Sequence, residues 1–430
     1  MTDNTPTMTT LMTEVTDSTA LAQGAAPARG KRFAGKRVAM VTYSLYPFDP
    51  RPRRAIDALL AEGASIDLVC LGSEGAPSRE VLDGIRVLRI PLKHQRGGKF
   101  TYAAQYAAFI LISSAIFALR SLVRRYDLVY VHNMPDILVL SSLIPKALGA
   151  KVVLDLHDPM PELMMTIFGQ PEGSKSVRLL ERLEKWSIAR ADLVVTVNIA
   201  CKRIFSTRSC RPEKIAVVMN APDGQIFPFR ATGPEALRKT TDKQPFVIMY
   251  HGSLVERNGL DVAIDALSRV REAVPTAELH IFGVNSPFLE RMMEAARNKN
   301  LQESVRFFGP RRLEKLVTEI EKCDLGVIPN HRNAFTEINT PTRIFEYLAL
   351  GKPVIAPSTP GIQDYFSNES LLFFEPGDAG DLARQIEYAF SHPREAQETV
   401  RKAQQVFLAH TWDRERETLL SRVSETLQSR

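Results

Sequence analysis

Five places in the sequence put chemically able side chains directly after a short apolar run. Two carry a histidine with acids: His132-Asn133-Met134-Pro135-Asp136 and His157-Asp158-Pro159-Met160-Pro161-Glu162. An imidazole that titrates near neutrality, beside a carboxylate, suits proton handling or a grip on a substrate hydroxyl. One histidine most often serves the structure; two such clusters at neighbouring run ends point to function. A third place, Ser44 to Arg54, is bulky and basic, and its Arg51, Arg53 and Arg54 suit an acceptor phosphate.

The other two lie in the second half. Gly252-Ser253-Leu254 leads to Glu256-Arg257-Asn258-Gly259 and then a helical pattern from Leu260. A glycine after a strand lets backbone approach a ligand, and a helix start offers unpaired N–H groups. With Arg257 added, this suits a diphosphate, although an ordinary βα turn looks similar. Asn339 to Leu348 repeats the device: Thr340 as helix cap, Pro341 at the first helical position, Arg343 one turn in. Glu346 follows, and a carboxylate placed there can accept from the vicinal hydroxyls of a ribose.

Several chemistries lack their signatures. There is no G-x-G-x-x-G after the first strand, no G-x-x-x-x-G-K-[ST], no H-E-x-x-H and no G-x-S-x-G. Histidines and carboxylates show no metal-ligand spacing, so no metal is expected. The four cysteines are scattered without a C-x-x-C pair, which fits a reduced, cytoplasmic setting.

The elements that must position these residues alternate. Strands are expected at Arg37–Tyr43, Ser65–Leu71, Ile85–Ile90, Asp127–Val131, Lys151–Leu156, Asp192–Val197 and Ile215–Met219. A second series runs Phe246–His251, Ala277–Phe282, Ser304–Phe308, Asp324–Ile328, Pro353–Ala356 and Leu371–Phe374. Most are continuously apolar, as in parallel strands covered on both faces. Helical spacing fills the gaps, for example Leu313, Leu316, Val317 and Ile320. The pattern predicts an α/β protein of two Rossmann-like, doubly wound domains facing a central cleft. The expected divisions are a disordered tail at 1–32, a first domain at 33–220, a Pro- and Gly-rich linker at 221–245, a second domain at 246–405 and a last segment at 406–430.

With 430 residues, 44% of them hydrophobic and 24% charged, the chain has material for two globular cores. A net charge of +6 leaves room for anionic partners, but no basic tract is long enough for a nucleic-acid arm. The first 32 residues lack the basic start and apolar stretch of an export signal. Ala103–Leu119 is nearly all apolar and is followed by Arg120, Arg124 and Arg125. A buried or partly buried helix is the ordinary reading. A helix lying in a membrane interface, with its arginines on lipid phosphates, is the alternative; a span is disfavoured because about 20 apolar residues are needed and the segment sits inside a βα series.

In order and spacing, His251–Gly259, Ile281-Phe282-Gly283, Val305–Pro310, Asp324–Pro329, Thr340–Glu346 and Gly351–Ala356 resemble the retaining glycosyltransferases of family 4, which have the GT-B architecture. Asp49–Arg51, His132–Asp136, His157–Glu162 and Asn220 look like members that build surface polysaccharides on lipid-linked precursors. The resemblance implies a nucleotide-diphosphate sugar held by the second domain. Gly252, Ser253 and Arg257 would meet the diphosphate, Thr340, Pro341 and Arg343 the phosphates or sugar, Glu346 the ribose, and the loop after Gly309 the base. His157, Asp158 and Arg257 would act at the reacting sugar. Asp49, Arg51, His132, Asn133 and Glu162 would hold a carbohydrate or lipid-linked acceptor. The last segment, with Trp412, would cross back onto the first domain. Peripheral contact with the cytoplasmic face of an anionic membrane would fit such an acceptor.

Two departures stand out. Many family members carry two glutamates eight positions apart, whereas counting back from Glu346 lands on Ile338, with Glu337 beside it. Where many carry a lysine before the helix-starting glycine, this chain has Asn258. Other GT-B chemistry, as in an epimerase or a phosphorylase, and a non-catalytic sugar-nucleotide receptor are the competing readings.

Overall fold

The computed structural model describes residues 31–72, 75–92, 99–233 and 244–429, with 99–103 as backbone only. Most of the expected tail, and 234–243 of the expected linker, lie outside them.

The first sheet contains β1 (Arg37–Leu45), β2 (Ser65–Leu71), β3 (Arg79–Leu82), β4 (Ile85–Ile90), β5 (Leu128–His132), β6 (Lys151–Leu156), β7 (Leu193–Thr196) and β8 (Ile215–Val217). Its order is β3-β4-β2-β1-β5-β6-β7-β8, parallel except where β3 pairs antiparallel with β4. Sequence reading missed β3. Its polar alternation concealed it, although Asp83-Gly84, both at positive φ, is the hairpin signal. The second sheet, in the order β11-β10-β9-β12-β13-β14, is parallel throughout. It comprises β9 (Phe246–His251), β10 (Ala277–Phe282), β11 (Val305–Phe307), β12 (Leu325–Val327), β13 (Val354–Pro357) and β14 (Leu372–Phe374).

Each sheet is covered on both faces, which is why its strands are apolar on both sides. In the first domain one face packs on the helices Pro50–Ala61 and Trp412–Gln428 through Ile56, Leu59, Leu419 and Leu420. The other packs on Lys99–Val123, Lys175–Arg190 and Ile199–Arg208 through Phe109, Phe117, Ile188 and Phe205. The helix Pro393–Ala409 belongs to the second domain. The chain then breaks at His410-Thr411 and its last helix docks on the first domain. Glu415 anchors the crossing: its carboxylate accepts from the Met219 N–H at 2.8 Å and pairs with His410 at 2.8 Å.

The order reverses at β1/β5 in one sheet and at β9/β12 in the other. Ligands of open α/β sheets bind beyond the strand ends at such points. The ends of β5, β6 and β9 carry His132, His157 and His251-Gly252.

The helix Lys99–Val123 is apolar on both sides, with Phe109, Ile110 and Phe117 in the core and a second apolar stripe facing outward. Its buried side includes Ser113 and Ser121, whose hydroxyls donate back to Ile110 O and Phe117 O. Its exposed stripe is Ala104, Ala107, Leu111, Ala115, Leu119 and Leu122. The segment is therefore a partly buried helix: its core side is covered, but only 28% of its apolar stretch.

Candidate active site

Asp155 on β6 is the hub of the first-domain half. It is 2% exposed, and its Oδ1 accepts from Arg51 Nε at 2.9 Å and Nη2 at 2.7 Å. Oδ2 accepts from the Tyr130 hydroxyl at 3.0 Å. Burial raises the cost of this charge, but Arg51 outweighs it and holds the carboxyl below its usual range. Arg51 also donates to Val218 O and Asn220 Oδ1, both at 2.9 Å, tying β6 to the segment after β8. Above Asp155 sit two imidazoles, with His132 Nδ1 at 3.0 Å from His157 Nε2. Burial lowers His157 to about 4 and His132 to about 3, against the pull of Asp155. Both rings are therefore neutral at physiological pH. His157 keeps 17% of its side chain exposed, whereas His132 keeps none.

This geometry corrects four of the expected acceptor residues. Arg51 and His132 are buried partners of Asp155 and His157. Asn133 spends its amide inside the protein, donating to Asp136 Oδ1 and Asp158 O and accepting from the His157 N–H at 2.7 Å. Glu162 is bound by Arg208 at 2.7 and 3.1 Å, together with Glu184. A guanidinium shared by two carboxylates is a helix-to-helix tie, since leaving any of these buried charges unpaired is costly. Asp49 caps the helix Pro50–Ala61 by accepting from the Arg51 N–H. Asp158 faces the second domain: burial raises its carboxyl, and Arg257 eases that rise most.

The second-domain half is a glycine-floored turn. Gly252 has φ +127°, and a Cβ there would lie 3.3 Å from Arg343 Cδ, so the arginine stem lies along bare backbone. Arg343 donates to His251 O at 2.8 Å and leans over the Tyr250 ring. The Ser253 carbonyl accepts from the Tyr250 hydroxyl at 2.7 Å and from Asn258 Nδ2 at 2.8 Å. Asn258 thus folds back onto the turn. Gly259, φ +68°, is required more strictly: a Cβ would sit 1.8 Å from Pro329 O. Gly309, φ +73°, follows β11, and its carbonyl accepts from the Gly283 N–H at the rim.

Glu346 points at His251, whose Nε2 is 2.6 Å from its Oε2. Sequence reading gave His251 no role; only the pairing of a strand end with a helix far along the chain creates it. Thr340 is not a cap. Its hydroxyl donates to Gly361 O at 2.6 Å, and Pro341 occupies the cap position of the helix Thr342–Ala349. Proline offers no side-chain acceptor, so no side chain caps the first N–H groups of this helix.

The missing family glutamate has a structural counterpart. Ile338 packs against the first-domain core, and its carbonyl accepts from Asn198 Nδ2 at 2.8 Å. Glu337 is paired with Arg332 at 2.6 Å. Neither supplies the second carboxylate. The loop instead clasps the domains together: Thr166 Oγ1 donates to Asn333 Oδ1 at 3.1 Å and accepts from the Phe335 N–H at 3.2 Å.

His132, Asp155 and His157 bring metal-ligand atoms within 4.8 Å of one another, a convergence that spacing along the chain did not disclose. The donor set does not fit a resident cation. Arg51 already holds the carboxylate, and a divalent ion would face that fixed positive charge.

Two sequence-family models take up most of the chain: a "Glycosyl transferase 4-like domain" over residues 49–221 and "Glycosyl transferases group 1" over 235–406. The chain belongs to the GT-B glycosyltransferases. Among curated relatives, the glycogen synthase of Mycobacterium tuberculosis is 24% identical over 53% of this chain and 52% of its own length. The amylovoran biosynthesis glycosyltransferase AmsK of Erwinia amylovora is 24% identical over 45% and 46%. The chain thus spans about half the length of the curated relatives it matches. Solved structures share the fold along nearly the whole chain. The sucrose-phosphate synthase of Thermosynechococcus elongatus has TM-score 0.71 at 17% identity, covering 91% of this chain and 98% of its own. Anabaena HepE in complex with UDP-glucose has TM-score 0.64 at 18% identity, covering 90% and 99%.

Proposed function

We propose that the protein transfers a sugar from a nucleotide-diphosphate sugar to an acceptor hydroxyl with retention of anomeric configuration. The observation that carries this reading is the second-domain turn, where Gly252 lies bare beside Arg343 and Arg257 forms no ion pair within bonding distance among the described residues. Two cations beside open backbone fit a diphosphate, and Glu346, oriented by His251, fits the ribose. The UDP-glucose complex of the HepE neighbour supports a donor of this class.

In the step itself, the bond from the anomeric carbon to the β-phosphate oxygen breaks, and a bond to the acceptor oxygen forms on the same face. The acceptor proton passes to the departing diphosphate. Arg257 and Arg343 offset the negative charge that develops there, a task for which fixed charges need no reorganisation. Asp155 is a poor nucleophile, since Arg51 and Tyr130 occupy its oxygens. Asp158, across from Arg257, lines the approach. The two arginines make a divalent cation unnecessary in this scheme.

Relatives such as AmsK support an acceptor among surface-polysaccharide precursors, and a lipid-linked one gives the exposed helix a use. Its apolar stripe ends at Arg124 and Arg125, both exposed and without a carboxylate partner among the described residues. That combination suits the cytoplasmic face of an anionic bilayer. The basic run Arg51–Arg54 does not join this surface, because its helix packs on the opposite face of the sheet.

A thermal-unfolding screen against nucleotide sugars tests the donor. At a hundredfold excess over its dissociation constant a true donor stabilises by about 2.7 kcal/mol. No protection by any nucleotide sugar would count against the reading.

A further inference from the structure

The two imidazoles at the ends of β5 and β6 have a proton order that their surroundings determine. We propose that His132 is a positioning residue that fixes His157 in the Nδ1–H tautomer, so that His157 offers the cleft a hydrogen-bond donor and not a base. The use of that donor, to hold an oxygen of a bound sugar, rests on the glycosyl-transfer reading; the tautomer itself does not.

His132 Nδ1 and His157 Nε2 are 3.0 Å apart, and a single proton lies between them. Two observations place it on His132. The first is Asp155. Its Oδ1 already accepts two N–H groups of Arg51, while Oδ2 accepts only the Tyr130 hydroxyl and lies 3.5 Å from His132 Nδ1. His157 Nε2 is farther from the carboxylate, 3.9 Å from the crowded Oδ1. A proton on His132 Nδ1 is thus shared with the oxygen that has capacity left.

The second is the far side of the His132 ring. Its Nε2 is buried and has no hydrogen-bond partner. Were the proton on His157 Nε2, neutral His132 would carry its own proton on this orphaned nitrogen. A buried N–H without an acceptor is rarer and costlier than a lone pair without a donor. Both observations give the same order: Asp155 and His157 Nε2 share the Nδ1–H of His132, and neutral His157 carries its proton on Nδ1.

The consequence falls on the cleft. His157 is held by its main-chain N–H on Asn133 Oδ1, and its Nδ1 has no partner among the described residues. Its Nε2 lone pair is spent on His132. It therefore cannot take the acceptor proton without first giving one up, which agrees with that proton leaving on the diphosphate.

The test is nitrogen NMR of the full chain with labelled histidine at neutral pH, where the two tautomers give distinct one- and two-bond patterns. Loss of one signal set in His157→Gln identifies His157 among the eight histidines. The expected wild-type pattern is protonated Nδ1 and bare Nε2. His132→Asn, whose amide N–H replaces Nδ1–H, keeps it. His132→Phe removes the donor, and His157 turns to the Nε2–H form. A wild-type His157 protonated on Nε2 would overturn the proposal, as would an unchanged pattern in His132→Phe. If the phenylalanine variant does not fold, the wild-type spectrum and the asparagine variant still decide. No donor or acceptor is added, so failure of the transfer reading would leave this result intact.

Discussion

Glu346 and His251 are locked together, Oε2 to Nε2 at 2.6 Å, and the far ring nitrogen of His251 meets the Tyr347 hydroxyl at 2.9 Å. That hydroxyl donates to Met249 O at 2.8 Å. The chain Met249–Tyr347–His251–Glu346 therefore aims one carboxylate oxygen inward and leaves the other side of the group toward the cleft, where 14% of it is exposed.

If this carboxylate holds the ribose, Glu346→Gln weakens UDP binding without loss of fold. A hydrogen bond to a charged group contributes roughly 1.5–3 kcal/mol, about ten- to a hundredfold in affinity. Calorimetry with UDP giving equal affinities for the two proteins would remove Glu346 from the donor site.

Gly259→Ala tests the turn after β9 through stability. The added Cβ meets Pro329 O at 1.8 Å with the backbone at φ +68°, so the turn or β12 must move. Overpacking with backbone strain predicts a loss of about 3 kcal/mol or more. A melting temperature within a degree or so of wild type would show that the turn yields easily.

The buried imidazoles give the protein an acid limit. His157 falls from 6.5 to about 4 and His132 to about 3, chiefly through burial. Below pH 6.5 the unfolded chain binds protons that the folded one refuses, so stability is full above 6.5 and declines as pH falls toward 4. Asp136, pushed up to about 7 by burial, acts in the opposite sense, its contribution fading as pH rises through 7. His157→Gln should flatten the melting curve's dependence on pH between 6.5 and 4. A slope equal to wild type would place the proton uptake elsewhere.

For the exposed helix, the expected result is flotation with anionic vesicles at low salt and release at high salt, because the lipid field decays within about 8 Å at physiological ionic strength. Leu111→Asp with Leu119→Asp should abolish flotation. Flotation of the double variant like wild type would rule out this face.

The fold was legible because burial on both faces writes itself into a strand as a continuous apolar run, and the position of the turn after β9 because its glycines and arginine follow directly after such a run. The first-domain half was not. Arg51, His132, Asn133 and Glu162 are types that bind ligands when exposed, and no spacing along the chain tells that Asp155, Asp136 and Arg208 consume them internally. His251 escaped for the converse reason: its partner Glu346 is remote in sequence and adjacent only after β9 and the helix Thr342–Ala349 pack. Ile338 was legible as a departure, yet its place on the first-domain core appears only in three dimensions.

The central claim is retention at an anomeric centre activated by a leaving diphosphate. The direct measurement is proton NMR of wild type and Arg257→Ala with a panel of α-linked nucleotide sugars, following the anomeric signal of sugar released to water or acceptor. Wild type should release nucleoside diphosphate and give the α-configured product first, and Arg257→Ala should do so about a hundredfold more slowly or worse. An initial β product, or cleavage at the same rate without Arg257, would contradict the account.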